Sequence, residues 1–465
     1  MFDNLNNLID EYKDDIISST SQLIQKKSVE SDPVDNMPFG KGINEALETS
    51  LEIANILGLK NVNVDGYAGY AEIGESEEMV GVLTHLDVVP EGDDWTYPPY
   101  GGEIHNDKIY GRGALDNKGP TVAILYALKA IKESRIKLNK RVRLIMGTDE
   151  ESGWEGLDYY KQKEKLPEIG FSPDAYFPVI HAEKGIIVFD LNKNFSGKKY
   201  NSDKIKIKTI KGGNAPNMIP DYCESKIEPG TSDITRLEEY IEKSEYDLDL
   251  VKENNDLILK SFGKSAHGSM PEEGQNAISQ LMVFLNELDI AEDDIGKFIK
   301  WYNNKIGMEY YGESIGCGFK DNVSGNLIFN VGMIELDETQ VKITVNIRYP
   351  VTYTEKQVLK GMKNGINDTD IKIQENQHIG PLHVPQDDEL VVKLMEVYKE
   401  FTGEDLKPVA IGGGTYARAL DKAVAFGALF PGSPEVAHKK DEYIKIEDLI
   451  KMTKIYANAI VKLAE

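Results

Sequence analysis

The chain contains very few cysteines. Only Cys223 and Cys317 occur among its 465 residues, and they lie far apart in the sequence. Two thiols at this separation are too few for a disulfide framework or for a zinc site built from cysteines. The shortage excludes a disulfide-stapled fold and predicts a reducing, cytoplasmic location.

Positive charge and long apolar runs are scarce as well. Lys and Arg number 53 against 78 Asp and Glu, which gives a formal net charge of −25. Because such a chain repels phosphate backbones and anionic lipids, we expect no nucleic-acid partner and no membrane partner. No stretch approaches the roughly 18 apolar residues of a membrane span, and the acidic start MFDNLNNLIDEYKDD lacks the pattern of an export signal.

What the sequence does contain is an alternation of helix and strand patterns. Apolar residues recur at helical spacing over 5–24, 47–57 and 449–460, and strand-length apolar runs occupy 79–83, 142–146 and 423–430. This alternation predicts an α/β sheet flanked by helices. The length of the chain favours two domains. Between about 184 and 384 the sequence changes to alternating segments that are rich in Lys and Asn. We therefore expect a domain formed by 1–183 plus 385–465, with an α+β domain, 184–384, inserted into it.

Acidic residues and histidines follow the predicted strands or lie in a glycine-rich corner near them. Oxygen and imidazole donors without a thiolate suit Zn²⁺, Mn²⁺ or Co²⁺, and a bridging carboxylate can hold two such ions about 3.5 to 4 Å apart. These residues therefore predict a two-metal hydrolase site. They are His85, Asp87, Asp116, Glu150, Glu151, Asp174 and His438.

Each of these segments also has a plainer interpretation. His85 and Asp87 can be a chance pair in a surface loop, Asp116 a turn residue or helix N-cap, and His438 a surface histidine. The neighbouring Glu150 and Glu151 can form a solvated acidic loop. The joint pattern favours a site, because open α/β sheets bind ligands beyond the carboxyl ends of their strands.

Four segments together resemble the M20 metallopeptidases, and within that family the bacterial dipeptidase V group. The segments are THLDVVPEGDDW, GRGALDNKGP, GTDEESGW and AHKKDEYI. The resemblance runs nearly end to end and in order. It implies a zinc-peptidase-like catalytic domain with a mixed central sheet flanked by helices, and it makes 184–384 the family's lid domain.

The resemblance also implies a role for each member of the predicted site. Asp116 bridges two ions, His85 and Asp174 hold one of them, and Glu151 and His438 hold the other. These five residues would be the metal ligands.

Two further roles and one departure follow from the same likeness. Glu150 is expected to be the general base and Asp87 to support His85. Many relatives carry a second Asp where this chain has Asn117, and we expect the Asp116–Asn117 peptide bond to be cis.

Substrate-binding residues are implied in the inserted segment. By resemblance, His267 in GKSAHGSMPEEGQNA stabilises the oxyanion of the tetrahedral intermediate, although a neutral loop histidine is the alternative. Arg348 in QVKITVNIR, together with Asn217 in GGNAPNMIPD, is a candidate for binding the C-terminal carboxylate of the substrate. Strand alternation puts Arg348 on a polar face, where an exposed arginine is the default interpretation.

A second carboxylate cradle is expected in the segment IGGGTYAR. Gly412, Gly413 and Gly414 precede a predicted helix that starts near Thr415, and backbone N–H groups at a helix start bind anions. The family places the carboxyl end of the substrate here. A plain flexible turn is the alternative.

The function expected from these features is hydrolysis of dipeptides with free termini. Two divalent ions per chain, Zn²⁺ first and Mn²⁺ or Co²⁺ as alternatives, activate a water whose proton passes to Glu150 and then to the leaving amine. The resemblance to the dipeptidase V group, with a lid of about 200 residues, implies a monomer. Two other functions stay open, namely an M20-type amidohydrolase of N-acyl amino acids (a deacylase or desuccinylase) and a non-catalytic, metal-dependent peptide-binding protein.

Overall fold

The computed structural model describes residues 2–197, 203–230, 234–253 and 256–465. The chain divides into two compact units, each with its own hydrophobic core. The first comprises Met1–His181, His383–Val409 and Gly414–Glu465, and the second comprises Ala182–Leu382 and Ala410–Gly413. The assignment of the second unit as a lid stays a prediction.

A mixed sheet of nine strands forms the centre of the first unit, as the sequence predicted. Its order is Lys60–Val64, Ala68–Ile73, Arg141–Gly147, Met79–His85, Ile169–Ser172, Ala423–Ala425, Ile180–Glu183 and Leu382–His383, with Val409–Ile411 paired to Ile180–Glu183. The Met79–His85 strand runs parallel to both neighbours, whereas Ala68–Ile73 and Arg141–Gly147 are antiparallel. All seven residues of Met79–His85 are buried, because a parallel strand is covered on both faces.

Helices cover this sheet. They are Phe2–Glu11, Lys13–Ile24, Lys41–Ile56, Lys118–Ser134, Glu155–Lys163, Glu389–Thr402 and Ile446–Ala464. The Lys118–Ser134 helix packs on the Ile446–Ala464 helix and on the central strands, and most of its residues are buried. Pro120 fits in its first turn, where no backbone N–H is needed. Among the residues that the structure describes, no helix combines the length and apolar character that crossing a bilayer requires.

The run 423–430 is not one strand. It forms Ala423–Ala425 in the central sheet and then Ala428–Leu429, which pairs in parallel with Ala175–Tyr176. Gly427 lies between them with φ of 83°, a backbone conformation that breaks an extended strand. A three-stranded sheet of Glu103–His105, Lys108–Tyr110 and Tyr443–Lys445 lies elsewhere in this unit.

The second unit is an α+β structure built on an antiparallel sheet. Its strand order is Asp247–Glu253, Asp256–Phe262, Tyr222–Glu228, Lys206–Gly212, Ile328–Leu336, Gln340–Tyr349, Gly185–Asn194 and Lys372–Ile379. A short hairpin joins Lys320–Asp321 and Gly325–Asn326. Its helices are Ile234–Lys243, Ala277–Glu287, Asp294–Lys305 and Glu355–Gly365, with a 3₁₀ turn at Pro271–Glu273.

One helix shows how this unit closes its core. Ala277–Glu287 packs on the Tyr222–Glu228 strand, and its N-cap Asn276 accepts hydrogen bonds from the N–H groups of Ile278 and Ser279. The amide of Asn276 also donates to the carbonyl of Val331 at 2.9 Å. The cap therefore fixes the helix start to the neighbouring strand.

Candidate metal centre

Three parallel strands of the first unit bring most of the predicted ligands to one edge of the sheet. His85 is the last residue of Met79–His85 and lies opposite Gly147, the last residue of Arg141–Gly147. Glu150 and Glu151 follow Gly147, and Asp174 follows the Ile169–Ser172 strand. Because the carboxyl ends of parallel strands meet at one edge, residues distant in sequence become neighbours.

Two groups of metal-ligating atoms form there, and Asp116 belongs to both. The first group is His85, Asp116 and Asp174, the second is Asp116, Glu151 and His438, and within each group the ligand atoms lie within 4.8 Å of one another. These are the two sets that the sequence predicted, although ligation by them stays a proposal.

The two oxygens of Asp116 point to different histidines. Oδ1 lies 2.9 Å from Nε2 of His85, and Oδ2 lies 3.0 Å from Nε2 of His438. Asp174 Oδ1 is 3.5 Å from His85 Nε2, and Glu151 Oε1 is 2.9 Å from His438 Nε2. Metal–ligand bonds of about 2.0 to 2.2 Å put ligand atoms of a tetrahedral site roughly 3.3 to 3.6 Å apart. The 3.5 Å distance lies in this range, whereas the other three, at 2.9 to 3.0 Å, are hydrogen-bond contacts that ions would widen by a few tenths of an ångström. The oxygen and imidazole donors themselves suit two divalent ions.

The turn after Asp116 carries the residue that departs from many relatives. The Asp116–Asn117 bond is cis, as expected. The side-chain amide of Asn117 donates to the carbonyl of Pro173 at 2.8 Å and to Asp174 Oδ1 at 3.2 Å. Asn117 therefore holds Asp174 directly, through a donor that an ionised Asp at this position would not have.

Asp87 contacts both His85 and the glutamate pair. Nδ1 of His85 lies 3.0 Å from the backbone carbonyl of Asp87 and 3.5 Å from its Oδ1. The other carboxylate oxygen, Oδ2, accepts a hydrogen bond from the N–H of Glu151 at 3.0 Å. The backbone of Asp87 orients the imidazole, and its side chain mainly fixes the loop that carries Glu150 and Glu151.

Burial and mutual repulsion raise the pKa values of three carboxyl groups at the site. Burial and the charge of Asp174 raise the pKa of Glu150 well above its ordinary value. Burial, opposed by His85 and reinforced by Asp116, raises the pKa of Asp174 to about 7. Burial and the charge of Asp116 also raise the pKa of Glu151. Such a cluster favours the binding of cations.

The two histidines respond to the same charges. Burial lowers the pKa of His85, but the charge of Asp174 and the hydrogen bond to Asp116 raise it well above its ordinary value. Burial likewise opposes the hydrogen bonds of Asp116 and Glu151 at His438, and the net effect raises that pKa to about 11. The negative charge around both imidazoles thus stabilises positive charge, and the same negative charge would stabilise a bound metal ion.

Tyr416 borders the site and was missed from the sequence. Its ring lies edge-on to the imidazole of His85, with centroids 6.3 Å apart, and its hydroxyl donates to Asp149 Oδ1 at 3.4 Å. A Cβ on Gly147 would lie 2.3 Å from the ring, so the strand approaches it only with glycine there. The glycine at a strand end and the tyrosine in GGGTYAR were the available signals.

In the second unit, the predicted substrate-binding residues form a continuous set. The N–H of Gly268 donates to the carbonyl of Asn217 at 2.7 Å, which joins the Asn217 and His267 segments. Nδ1 of His267 and the hydroxyl of Ser269 are 2.5 Å apart. A Cβ on Gly412 would lie 2.7 Å from that of Ser269, so the glycine segment passes close beside this loop.

Arg348 completes this set and corrects one interpretation. The default of an exposed arginine is wrong, because Arg348 is buried. Nη1 of Arg348 donates to the carbonyl of Gly412 at 3.1 Å, and Nε donates to Oδ1 of Asn346 at 2.9 Å. From Thr344 onward the polar face of the strand is therefore a hydrogen-bonded interior surface, whereas Lys342 on the same face is exposed.

The helix expected near Thr415 is only a short 3₁₀ turn, Tyr416–Ala419. Thr415 does cap it, since its side chain accepts a hydrogen bond from the N–H of Ala417. Gly412 and Gly413 belong to the second unit, while Gly414 and Thr415 belong to the first. Four residues supply little helix dipole, so a carboxylate cradle here would depend on individual N–H groups.

Two relatives span nearly the whole chain. "Putative dipeptidase YtjP" of Bacillus subtilis (strain 168) is 40% identical over 460 residues, covering 97% of this chain and 98% of that protein. "Putative dipeptidase SSP1012" of Staphylococcus saprophyticus is 36% identical over 461 residues, covering 98% of each.

Solved structures share the fold. The structure of human carnosine dipeptidase 1 matches with a TM-score of 0.56 at 16% identity and covers 100% of both chains. The dipeptidase Dug1p from Saccharomyces cerevisiae matches with a TM-score of 0.58 at 14% identity, covering 100% of this chain and 98% of that one. At these identities the likeness concerns the fold alone.

The sequence profile described as "Peptidase family M20/M25/M40" matches residues 81–462, which include every predicted ligand. This match and the two relatives confirm the resemblance found in the sequence. The chain belongs to peptidase family M20/M25/M40.

Proposed function

We propose that this member of the family is a metal-dependent dipeptidase that hydrolyses the peptide bond of dipeptides with free termini. The observation that supports it best is the shared carboxylate of Asp116, which joins two groups of ligands close to the half-buried Glu150. The relatives named as dipeptidases, which match from end to end, support the choice of substrate.

Five side chains would hold the ions. In the proposal His85 and Asp174 bind one ion, Glu151 and His438 bind the other, and Asp116 binds both. Divalent ions in such a site polarise the peptide carbonyl and lower the pKa of water. Nitrogen and oxygen donors without thiolate suit Zn²⁺, with Mn²⁺ and Co²⁺ as alternatives.

Glu150 would move the proton. Its carboxylate takes a proton from the attacking water and returns that proton to the leaving amine, first as general base and then as general acid. Burial and the charge of Asp174 raise the pKa of Glu150, and this supports the role because a raised pKa favours uptake of a proton from water.

The second unit would supply most of the residues that recognise the substrate. Arg348 and Asn217 bind the C-terminal carboxylate, aided by the N–H groups of Gly412, Gly413, Gly414 and Thr415. His267 donates a hydrogen bond to the oxyanion as it forms. The contacts among Asn217, His267, Ser269 and Gly412 support a common task for these residues.

We further propose that the enzyme is a monomer that acts in the reducing cytoplasm. Both cysteines are buried and unpaired, which suits a compartment where thiols stay reduced. The monomeric state is carried over from the resemblance to the dipeptidase V group and stays a prediction.

The proposed reaction is tested with enzyme reconstituted in Zn²⁺, Mn²⁺ or Co²⁺ and assayed against dipeptides, tripeptides and N-acyl amino acids. We expect dipeptides to have the highest kcat/KM, because the relatives that match this chain from end to end are named as dipeptidases. Preference for N-acyl amino acids would identify a deacylase or desuccinylase. Metal binding without any turnover would identify a peptide-binding protein.

Replacing Glu150 by Gln should remove hydrolysis and leave the metal content unchanged. Gln keeps the size of the side chain but cannot accept the proton, so kcat should fall by about 100-fold or more. Metal content is measured by atomic spectroscopy and turnover by amine release. The exposed Glu78→Gln is the control and should behave as the parent. Near-normal turnover of Glu150→Gln would remove its assignment as the base.

Replacing Asp116 by Ala should cost both ions, whereas Asp174→Ala should cost mainly one. The reason is that Asp116 belongs to both ligand groups and Asp174 to only one. Metal stoichiometry after dialysis against a weak chelator distinguishes the two variants, with the exposed Asp158→Ala as a control. Full occupancy in Asp116→Ala would contradict the bridging role.

Replacing Arg348 by Met should weaken the binding of dipeptides with a free carboxylate and spare those with a C-terminal amide. Loss of a charge-assisted pair predicts a rise in KM of about 10- to 100-fold for the free substrate alone. Lys342→Met, on the same strand but half-exposed, is the matched control. An equal loss on both substrates would mean that Arg348 supports the fold rather than the carboxylate.

A further inference from the structure

A buried carboxylate outside the ligand set lies directly behind the shared ligand. Oε1 of Glu442 accepts hydrogen bonds from the N–H groups of Leu115 and Asp116, at 3.0 and 3.2 Å. Oε2 accepts from Nη1 of Arg112 at 2.6 Å. The side chains of Glu442 and Arg112 are 0% and 2% exposed, so this pair is withdrawn from water.

Arg112 extends the contact to two other loops of the site. Its Nη1 also reaches the carbonyl of Lys439 at 3.3 Å, one residue after His438. Its Nη2 reaches the carbonyls of Pro90 and Glu91 at 3.4 Å, in the loop that follows Asp87. One guanidinium therefore touches the segments that follow two members of the candidate site.

We propose that Glu442 is a positioning residue for the carboxylate of Asp116, and that Arg112 fixes Glu442 in that position. The inference rests on the proposed metal site, because it concerns how that site keeps its shape. Partners of metal ligands orient the ligands and tune their affinity for the ion. Glu442 does this from the backbone side, by holding the two N–H groups that lead into Asp116.

The charge of Glu442 matters as well as its shape. A carboxylate accepts from two amides and a guanidinium at once, and the ionised acceptor makes each hydrogen bond stronger. A glutamine in its place has one acceptor oxygen, so its NH₂ group would face either the two amides or Arg112, donor against donor. The isosteric change therefore disturbs the Asp116 turn and leaves the side-chain volume unchanged.

The first unit contains a second buried Glu–Arg pair, away from the candidate site, that resembles Glu442 and Arg112. Glu72 and Arg143 are 1% and 4% exposed, with Oε2 2.7 Å from Nη2, and they join the Ala68–Ile73 and Arg141–Gly147 strands. Within the part of the chain that the structure describes, neither side chain contacts a predicted metal ligand. Glu72→Gln thus removes a comparable buried charge without touching the Asp116 turn.

The test compares Glu442→Gln, Glu72→Gln and Arg112→Lys in the full chain. The affinity for Zn²⁺ is measured by competition with a chromophoric chelator, and stability is measured as the midpoint of urea denaturation of the metal-free protein. We expect both Gln variants to lower the midpoint, and only Glu442→Gln to weaken metal affinity, by about 10- to 100-fold. Arg112→Lys keeps the positive charge but loses the planar guanidinium with its several N–H donors. It should weaken the Zn²⁺ affinity less than Glu442→Gln does.

The outcomes separate this inference from the proposed function. Unchanged Zn²⁺ affinity in both Glu442→Gln and Arg112→Lys overturns the positioning role, and so does an equal loss in Glu72→Gln. If Glu442→Gln does not fold, Arg112→Lys alone decides between these results. A parent protein that binds Zn²⁺ and cleaves no dipeptide removes the proposed function and leaves the inference standing. A parent that binds no divalent ion removes both.

Discussion

The site depends on one carboxylate that faces two ways. Asp116 directs Oδ1 to His85 and Oδ2 to His438, and no other side chain of the candidate site belongs to both ligand groups. A carboxylate suits this position because its two oxygens are equivalent acceptors on one rigid plane. The surrounding contacts hold the turn and its neighbour. Glu442, paired with Arg112, accepts from the N–H of Asp116, and Asn117 donates to Asp174.

The fold and most of the ligands were predictable because they follow from local pattern. Apolar runs indicated the central strands, and the residues after them had to meet, since parallel strands end at one edge of a sheet. This logic pointed to the segments of His85, of Glu150 and Glu151, and of His438 as neighbours. His438 in isolation resembled a surface histidine, and only the joint pattern and the family resemblance selected it. Its contacts with Asp116 and Glu151 come from the tertiary structure.

The rest could not be predicted because it depends on contacts between distant segments. Alternation along Gln340–Tyr349 predicted a solvated polar face, yet Arg348 is buried against Asn346 and Gly412. Tyr416 was invisible for a similar reason, since its neighbours, His85 and Gly147, precede it by more than 260 positions. Local pattern reports which residues favour an interior, but it does not report which polar groups will satisfy one another there.

The order of the ligands along the chain has a consequence for biosynthesis. The first of them is residue 85 and the last is residue 438, and the inserted unit lies between them. A ribosome must therefore translate the whole insertion before the group of Asp116, Glu151 and His438 exists. A chain released early by premature termination lacks one of the two histidines that Asp116 faces. In the proposed enzyme such fragments would carry an incomplete ligand set. Incompletely translated chains would therefore not hydrolyse peptides in the cell.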